Sequence, residues 1–90
     1  SKTDCFRISS FEQSRVKLEL SIMAKNLLIE EYPLAEKDIR KEGDKWILET
    51  MVSGMEGVGR FFLGLAHEIK ILESDELKEY TRKFVERYLK

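Results

Sequence analysis

The 90-residue sequence has little material for a catalytic or metal site, because it contains one cysteine, one histidine and one proline. The single cysteine, Cys5, excludes an internal disulfide, and no Cys/His spacing suggests zinc. Because His67 is the only histidine, the sequence offers little material for a catalytic pair of a nucleophile and a histidine base. We therefore expect a protein that is not an enzyme, has no metal site and no cofactor, and works in the reducing cytoplasm.

Neither sign of charge is in excess, since 16 basic and 17 acidic residues leave a formal net charge of -1. Wholesale wrapping of nucleic acid normally needs a basic surface, so this balance argues against it, although a local basic patch stays open. No apolar run approaches the roughly 18–20 residues of a membrane span. With 42% hydrophobic residues, the composition is that of one folded domain.

The N-terminal residues carry no regular pattern, and the chain starts Ser1-Lys2 without an initiator methionine. We expect a piece of a longer protein, in which residues 1–11 are a linker or cloning remnant. Residues 12–90 are then expected to form a single domain.

Alternation of apolar and polar residues predicts a half-buried first strand over residues 15–22. Helical spacing over residues 23–32 predicts a helix that Pro33 ends, because the residue before a proline avoids the α region. Charged residues 37–41 are expected to form an edge strand, and Gly43 a turn at positive φ. Residues 45–52 alternate again and predict a third strand.

On that third strand, Trp46 is expected to face the core, whereas Ile47, Glu49 and Met51 are expected on a mixed outer surface. Its aromatic content does not match the third strand of RNA-recognition motifs. Met51 could instead belong, with Leu72, to an apolar interface patch.

Ser53 and Glu56 have the spacing of a capping box, which predicts a second helix. Residues 69–71 predict a fourth strand, and Ser74 is expected to cap a last helix. That helix carries an apolar stripe and two expected i,i+4 ion pairs. The stripe consists of Leu77, Tyr80, Phe84 and Tyr88, and the pairs are Glu79 with Lys83 and Glu86 with Lys90.

The order strand-helix-strand-strand-helix-strand-helix predicts an α+β fold. It is the ferredoxin-like βαββαβ plan, an antiparallel sheet with helices on one face, plus a C-terminal helix.

Arg60 is the strongest candidate for a binding residue in this sequence. It is expected in the first turn of the second helix, where a cation is mildly unfavourable against the helix dipole. A residue that local electrostatics disfavours can serve a phosphate or carboxylate of a partner. The alternative is an ordinary exposed arginine or an ion pair with Glu56. The nearby glycines match no phosphate-binding loop, and Gly64 is expected to permit a close contact between helix and sheet.

Residues 60–77, RFFLGLAHEIKILESDEL, resemble the C-terminal signature of WYL-domain transcriptional regulators, in the segment called the WCX domain. Residues 16–21 resemble its first strand and residues 43–52 its hairpin, so the similarity covers roughly residues 12–89. Ala66 stands where the family commonly has glycine, and Ser74 where it commonly has proline.

This resemblance implies a non-catalytic regulatory and dimerisation module that helps effector sensing control DNA binding by a helix-turn-helix domain outside these residues. The expected partners are the WYL and helix-turn-helix domains of the parent regulator, a second protomer and an effector, with nucleic acid among the effector classes; no membrane is expected. Arg60, Lys17 and Lys70 are the candidates to face the effector or the partner. The alternative function is a stand-alone ferredoxin-like domain that senses a small metabolite.

Overall fold

A four-stranded antiparallel sheet forms the centre of the computed structural model, which describes residues 1–89. The strands run in the order β4-β5-β3-β6, and β1 and β2 form a separate two-stranded hairpin. In chain order the elements are β1 (Lys2–Thr3), β2 (Ser9–Ser10), β3 (Ser14–Leu20), α1 (Ile22–Glu31), β4 (Ile39–Glu42), β5 (Lys45–Val52), α2 (Met55–Gly64), β6 (Ile69–Ile71) and α3 (Asp75–Tyr88). The predicted α+β class and antiparallel sheet are confirmed. The expected pair of Glu86 with Lys90 lies outside the described residues.

The central strand β3 fixes the register of the sheet, because it pairs with β5 on one side and β6 on the other. Leu18 lies opposite Leu48 of β5 and Ile71 of β6. Leu18 and Leu48 are fully buried, together with Leu28 of α1 and Val58 of α2. Both helices therefore cover the same face of the sheet, and the other face is left open.

The first helix begins one residue earlier than the alternation predicts. Ile22 was expected in the strand, but the side-chain oxygen of Ser21 accepts a hydrogen bond from the Ala24 backbone N–H at 3.0 Å and caps α1. The helix ends before Pro33, as predicted, and Pro33–Asp38 forms a 3-10 helix. The edge strand β4 therefore begins at Ile39, two residues later than expected.

The predicted cap at Ser53 is wrong and the one at Ser74 is right only in position, because both serine hydroxyls bind distant backbone groups. The Ser53 hydroxyl donates to the Lys2 carbonyl at 2.7 Å, and Gly54 occupies the cap position of α2 without a side-chain hydrogen bond. Ser74 does occupy the cap position of α3, but its hydroxyl accepts from the Lys17 backbone N–H at 2.8 Å. These serines join β1 to α2 and β3 to α3 instead of closing helix ends.

The N-terminal segment, expected as a linker, packs against the domain. The buried Asp4 carboxylate accepts hydrogen bonds from the backbone N–H groups of Phe6 at 2.8 Å, Ile8 at 3.0 Å and Ser53 at 2.7 Å. Phe6 is 3% exposed and belongs to the core cluster. The expectation for residues 1–11 is therefore corrected: a hairpin held by Asp4 closes one side of the core.

Close packing at α2 depends on Gly57 and Gly59, whereas the prediction for Gly64 is wrong. A Cβ on Gly57 would lie 2.6 Å from the Phe6 Cβ, and one on Gly59 would lie 2.6 Å from the Tyr80 ring. Nothing lies within 4 Å of a Cβ at Gly64. Gly57 and Gly59 thus let the N-terminal hairpin and α3 approach the helix.

Candidate interaction surfaces

The three predicted site residues lie on two separate surfaces and do not converge. Lys17 alternates with the buried Val16 and Leu18 along β3, so its side chain lies on the open face of the sheet. Lys70 belongs to β6 and is opposite Glu19 of β3 on that face. Arg60 belongs to α2, on the helical side of the sheet.

The open sheet face carries a network of ion pairs centred on Glu49 and Glu73. Glu49 pairs with Arg40 at 2.8 Å and with Arg15, and the hydrogen bonds from these two guanidinium groups, Arg40 first, lower its pKa. Glu73 pairs with Lys17 at 3.2 Å and Arg15 at 3.3 Å, which lowers the pKa of Glu73 in the same way. Lys17 is therefore already occupied by a partner within the chain.

Lys70 differs from Lys17, because it is exposed and forms no ion pair with any residue of 1–89. Its cross-strand neighbour Glu19 pairs with Lys45 at 3.4 Å instead. Ile47 was expected on the surface but is 4% exposed, which corrects the prediction. It lies between Glu19 and Arg40 in the register, and long charged side chains can cover an apolar neighbour with their stems.

A groove of about 450 Å³ lies between α1 and α2, on the helical side of the domain. We call it the Arg60 groove, and its lining residues are Leu27, Glu30, Glu31, Arg60, Phe61, Gly64 and Leu65. Arg60 is the sixth residue of α2 and lies beyond its first turn, so the predicted conflict with the helix dipole does not arise. The alternative pair with Glu56 is absent from residues 1–89 as well, and Arg60 is exposed with no ion pair there.

An aromatic cluster adjoins this groove, because Phe61 belongs to both. Tyr32 packs edge-on against Phe6, with ring centroids 5.0 Å apart, and against Phe61 at 6.4 Å. The Arg7 guanidinium lies 4.8 Å from the centroid of the Tyr32 ring. Burial and then the nearby Glu31 carboxylate raise the pKa of Tyr32, and the positive charge of Arg60 opposes this rise. The groove therefore combines one guanidinium with the carboxylates of Glu30 and Glu31 and with apolar side chains, and Arg60 is its only group suited to binding a carboxylate or phosphate.

A third surface, at the end of α3, was not predicted. The stripe of α3 is buried at Leu77 but opens towards the C-terminus, where Phe84 is 37% and Tyr88 is 59% exposed. We call it the α3 end surface: Phe84, Val85, Tyr88 and Leu89, with Lys83 and Arg87 beside them. The expected pair of Glu79 with Lys83 does not form, because Glu79 pairs with Arg82. Helical periodicity predicts this stripe, but it does not predict how far along α3 the stripe is covered by the rest of the domain.

The chemistry that remains is sparse. Within residues 1–89, no group of three or more His, Cys, Asp or Glu side chains could hold a metal ion. Burial, followed by the charge of Asp4, raises the pKa of the Cys5 thiol to about 11. His67 is exposed in the 3-10 helix Ala66–Glu68 and lies 3.5 Å from Glu68. None of the helices in the described part of the chain is both long and apolar enough to cross a membrane.

Comparisons of the chain with protein-family models, with curated proteins and with solved structures find no match. The resemblance to WYL-domain regulators therefore stays a prediction. The surfaces that this chain offers to a partner or ligand are the open sheet face, the Arg60 groove and the α3 end surface.

Proposed function

We propose that this chain is a non-catalytic regulatory and dimerisation module of a cytoplasmic WYL-domain transcriptional regulator. In this role it helps an effector control DNA binding by a helix-turn-helix domain elsewhere in the parent protein. The α3 end surface carries the proposal, because Phe84, Tyr88 and their apolar neighbours form an exposed cluster of the kind that contacts another protein surface. The WCX-like pattern of residues 60–77 supplies the family.

The strand order supports the fold part of this proposal. An order of β4-β5-β3-β6, with α1 after the first of these strands in sequence and α2 after the third, fits the ferredoxin-like βαββαβ plan. In this assignment α3 is the additional helix, and β1 and β2 are an N-terminal addition. The WCX resemblance implies the same plan.

Arg60 is the residue we assign to the effector or to the partner protomer. Its guanidinium is exposed and unpaired in the described chain, beside the apolar residues Phe61 and Leu65. Lys70, exposed on the open sheet face, is the second candidate. Lys17 is the weakest of the three, because Glu73 already neutralises its charge.

The test is Arg60→Ala in the parent regulator, with single-stranded DNA as the effector probe. We expect the variant to lose the change in operator affinity that the probe causes, measured by fluorescence anisotropy, or to lose dimer formation. Arg82→Ala is the matched control, since that helical arginine is engaged with Glu79 and Glu86 within the chain. If Arg60→Ala changes neither the response nor the dimer, the assignment of Arg60 is wrong.

The Arg60 groove also supports a second candidate, a domain that senses a small metabolite. Its volume of about 450 Å³ is in the range of small-molecule sites, and it combines apolar side chains with one cation, Arg60, and two carboxylates, Glu30 and Glu31. This function predicts that a carboxylate or phosphate ligand raises the melting temperature of the 90-residue chain. Arg60→Ala should abolish that rise, and no response across a panel of such ligands counts against this candidate.

A further inference from the structure

Two surfaces of this chain carry charged side chains of opposite sign that form no ion pair within residues 1–89. Lys83 and Arg87 lie beside the exposed aromatic residues of the α3 end surface. Glu30 and Glu31 line the Arg60 groove together with the half-exposed Leu27. None of these four charged side chains forms an ion pair with another residue of 1–89.

The α3 end surface and the Arg60 groove of one molecule do not contact each other. Helix α3 packs on α2, with Tyr80 against Gly59, whereas the groove lies between α2 and α1. Beyond Tyr80, α3 continues for eight residues to Tyr88, or about 12 Å. Beyond Gly59, α2 continues for only five residues to Gly64, or about 8 Å. The end of α3 is left uncovered, since Phe84, Val85 and Tyr88 are all exposed there, and its aromatic residues are available to another molecule.

Charge excludes the simplest pairing, in which two copies of α3 pack against each other. In a two-fold antiparallel helix pair, each flank faces the same flank of the partner helix. Lys83 and Arg87 would then face their own copies, and like charges at an interface oppose association. The other flank of the stripe does not favour this pairing either, because it carries Lys78. The acidic residues Glu79 and Glu86 lie further round the helix and form ion pairs with Arg82. The surface that accepts this end must be acidic and apolar.

The Arg60 groove has this character. Its two carboxylates outnumber its one guanidinium, and Leu27, Phe61 and Leu65 supply apolar contact area. Gly64 leaves space beside them, because nothing lies within 4 Å of the position of its absent Cβ.

We propose that α3 of one copy docks its end surface in the Arg60 groove of a second copy, and that the exchange is reciprocal. Phe84 and Tyr88 contact the apolar side chains of the groove. Lys83 and Arg87 pair with Glu30 and Glu31 of the other copy. Reciprocal docking closes a two-fold dimer and leaves no free end for further growth. This inference rests on the proposed dimerisation function and names its surface.

Charge reversal in the 90-residue chain tests the pairing. We expect the wild-type chain to form a dimer in sedimentation equilibrium. The double variants Lys83→Glu/Arg87→Glu and Glu30→Lys/Glu31→Lys should each raise the dimer dissociation constant by about tenfold or more. Mixing the two should restore a mixed dimer, in which both docking sites again have opposite charges. Lys2→Glu/Glu12→Lys, at two exposed positions near the N-terminus, is the control and should dimerise like the wild type.

A groove-filling variant tests the same contact without changing charge. Gly64→Tyr places a ring in open space, so it should fold as well as the wild type and still block the dimer. A monomeric wild-type chain overturns the inference, as does a dimer that survives both charge reversals and Gly64→Tyr. Binding of a monomer to vesicles of anionic lipid through Lys83 and Arg87 would overturn it too. If these tests fail while Arg60→Ala still abolishes the effector response of the parent, the regulatory function stands and only this dimer is rejected.

Discussion

Replacing the glycines of α2 one at a time by alanine tests the packing of the domain. Gly64→Ala should stabilise the protein by about 0.5–1 kcal/mol, because alanine favours the helix and its Cβ enters open space. Gly59→Ala and Gly57→Ala gain the same helix preference, but each new Cβ lies only 2.6 Å from a neighbouring atom.

The size of the loss depends on what each Cβ meets. Overpacking a core typically costs about 1–3 kcal/mol, against a gain of about 1 kcal/mol from helix preference. At Gly59 the neighbour is the edge of the Tyr80 ring, which can move, so we expect a net cost of about 1 kcal/mol. At Gly57 the neighbours are the Phe6 Cβ and the Ile8 Cγ1, held close to a backbone that Asp4 fixes. We expect a net cost of about 2 kcal/mol there.

Urea unfolding measures this series directly. With a slope of about 1 kcal/mol/M, Gly57→Ala should lower the midpoint by about 2 M and Gly59→Ala by about 1 M, while Gly64→Ala raises it. A Gly57→Ala variant as stable as the wild type would show that the N-terminal hairpin does not pack on α2 as described. The packing account, including the correction for residues 1–11, would then be refuted.

Two further predictions concern the N-terminal segment. Asp4→Ala leaves the buried backbone N–H of Phe6 and the partly buried backbone N–H groups of Ile8 and Ser53 without their acceptor, which should cost about 2–3 kcal/mol and speed their hydrogen exchange; unchanged exchange would contradict the role of Asp4. The Cys5 thiol, with its pKa raised from 9.0 to about 11, should react with iodoacetamide far more slowly at pH 8 than after unfolding, and equal rates would contradict its burial. Since the unfolded thiol ionises first, the part of stability that depends on Cys5 should be complete below pH 9 and disappear as the pH rises to about 11.

The local sequence pattern was sufficient to predict elements whose bounds depend on neighbouring residues. Strand β5 has the predicted bounds, because alternate residues from Trp46 to Val52 share one face and Gly43, at φ 64°, supplies the turn before it. Contacts between distant residues were not predictable in this way. Ser53 and Ser74 have the sequence pattern of caps, yet their hydroxyls bind Lys2 and Lys17, far away along the chain. The Asp4 clamp likewise depends on Ser53, which periodicity cannot place beside it.

The candidate site shows the same division. Arg60 was selected as an exposed arginine in the first turn of a helix; the structure places it beyond that turn, at the groove between α1 and α2. Sequence reasoning could not foresee that Glu73 would pair with Lys17, because that contact depends on the path of the chain after β6. The α3 end surface was missed since its exposure depends on the relative lengths of α2 and α3 beyond their contact. Such a surface becomes visible only when the helices are placed together.

The proposal that this chain is a module of a WYL-domain regulator is tested most directly by the native polypeptide that contains these residues. Its intact mass and the sequence upstream of Ser1 can be determined by mass spectrometry. We predict a longer protein in which a WYL domain, preceded by a helix-turn-helix domain, leads into Ser1. A mature chain of 90 residues, or a catalytic domain directly upstream, would contradict the proposal.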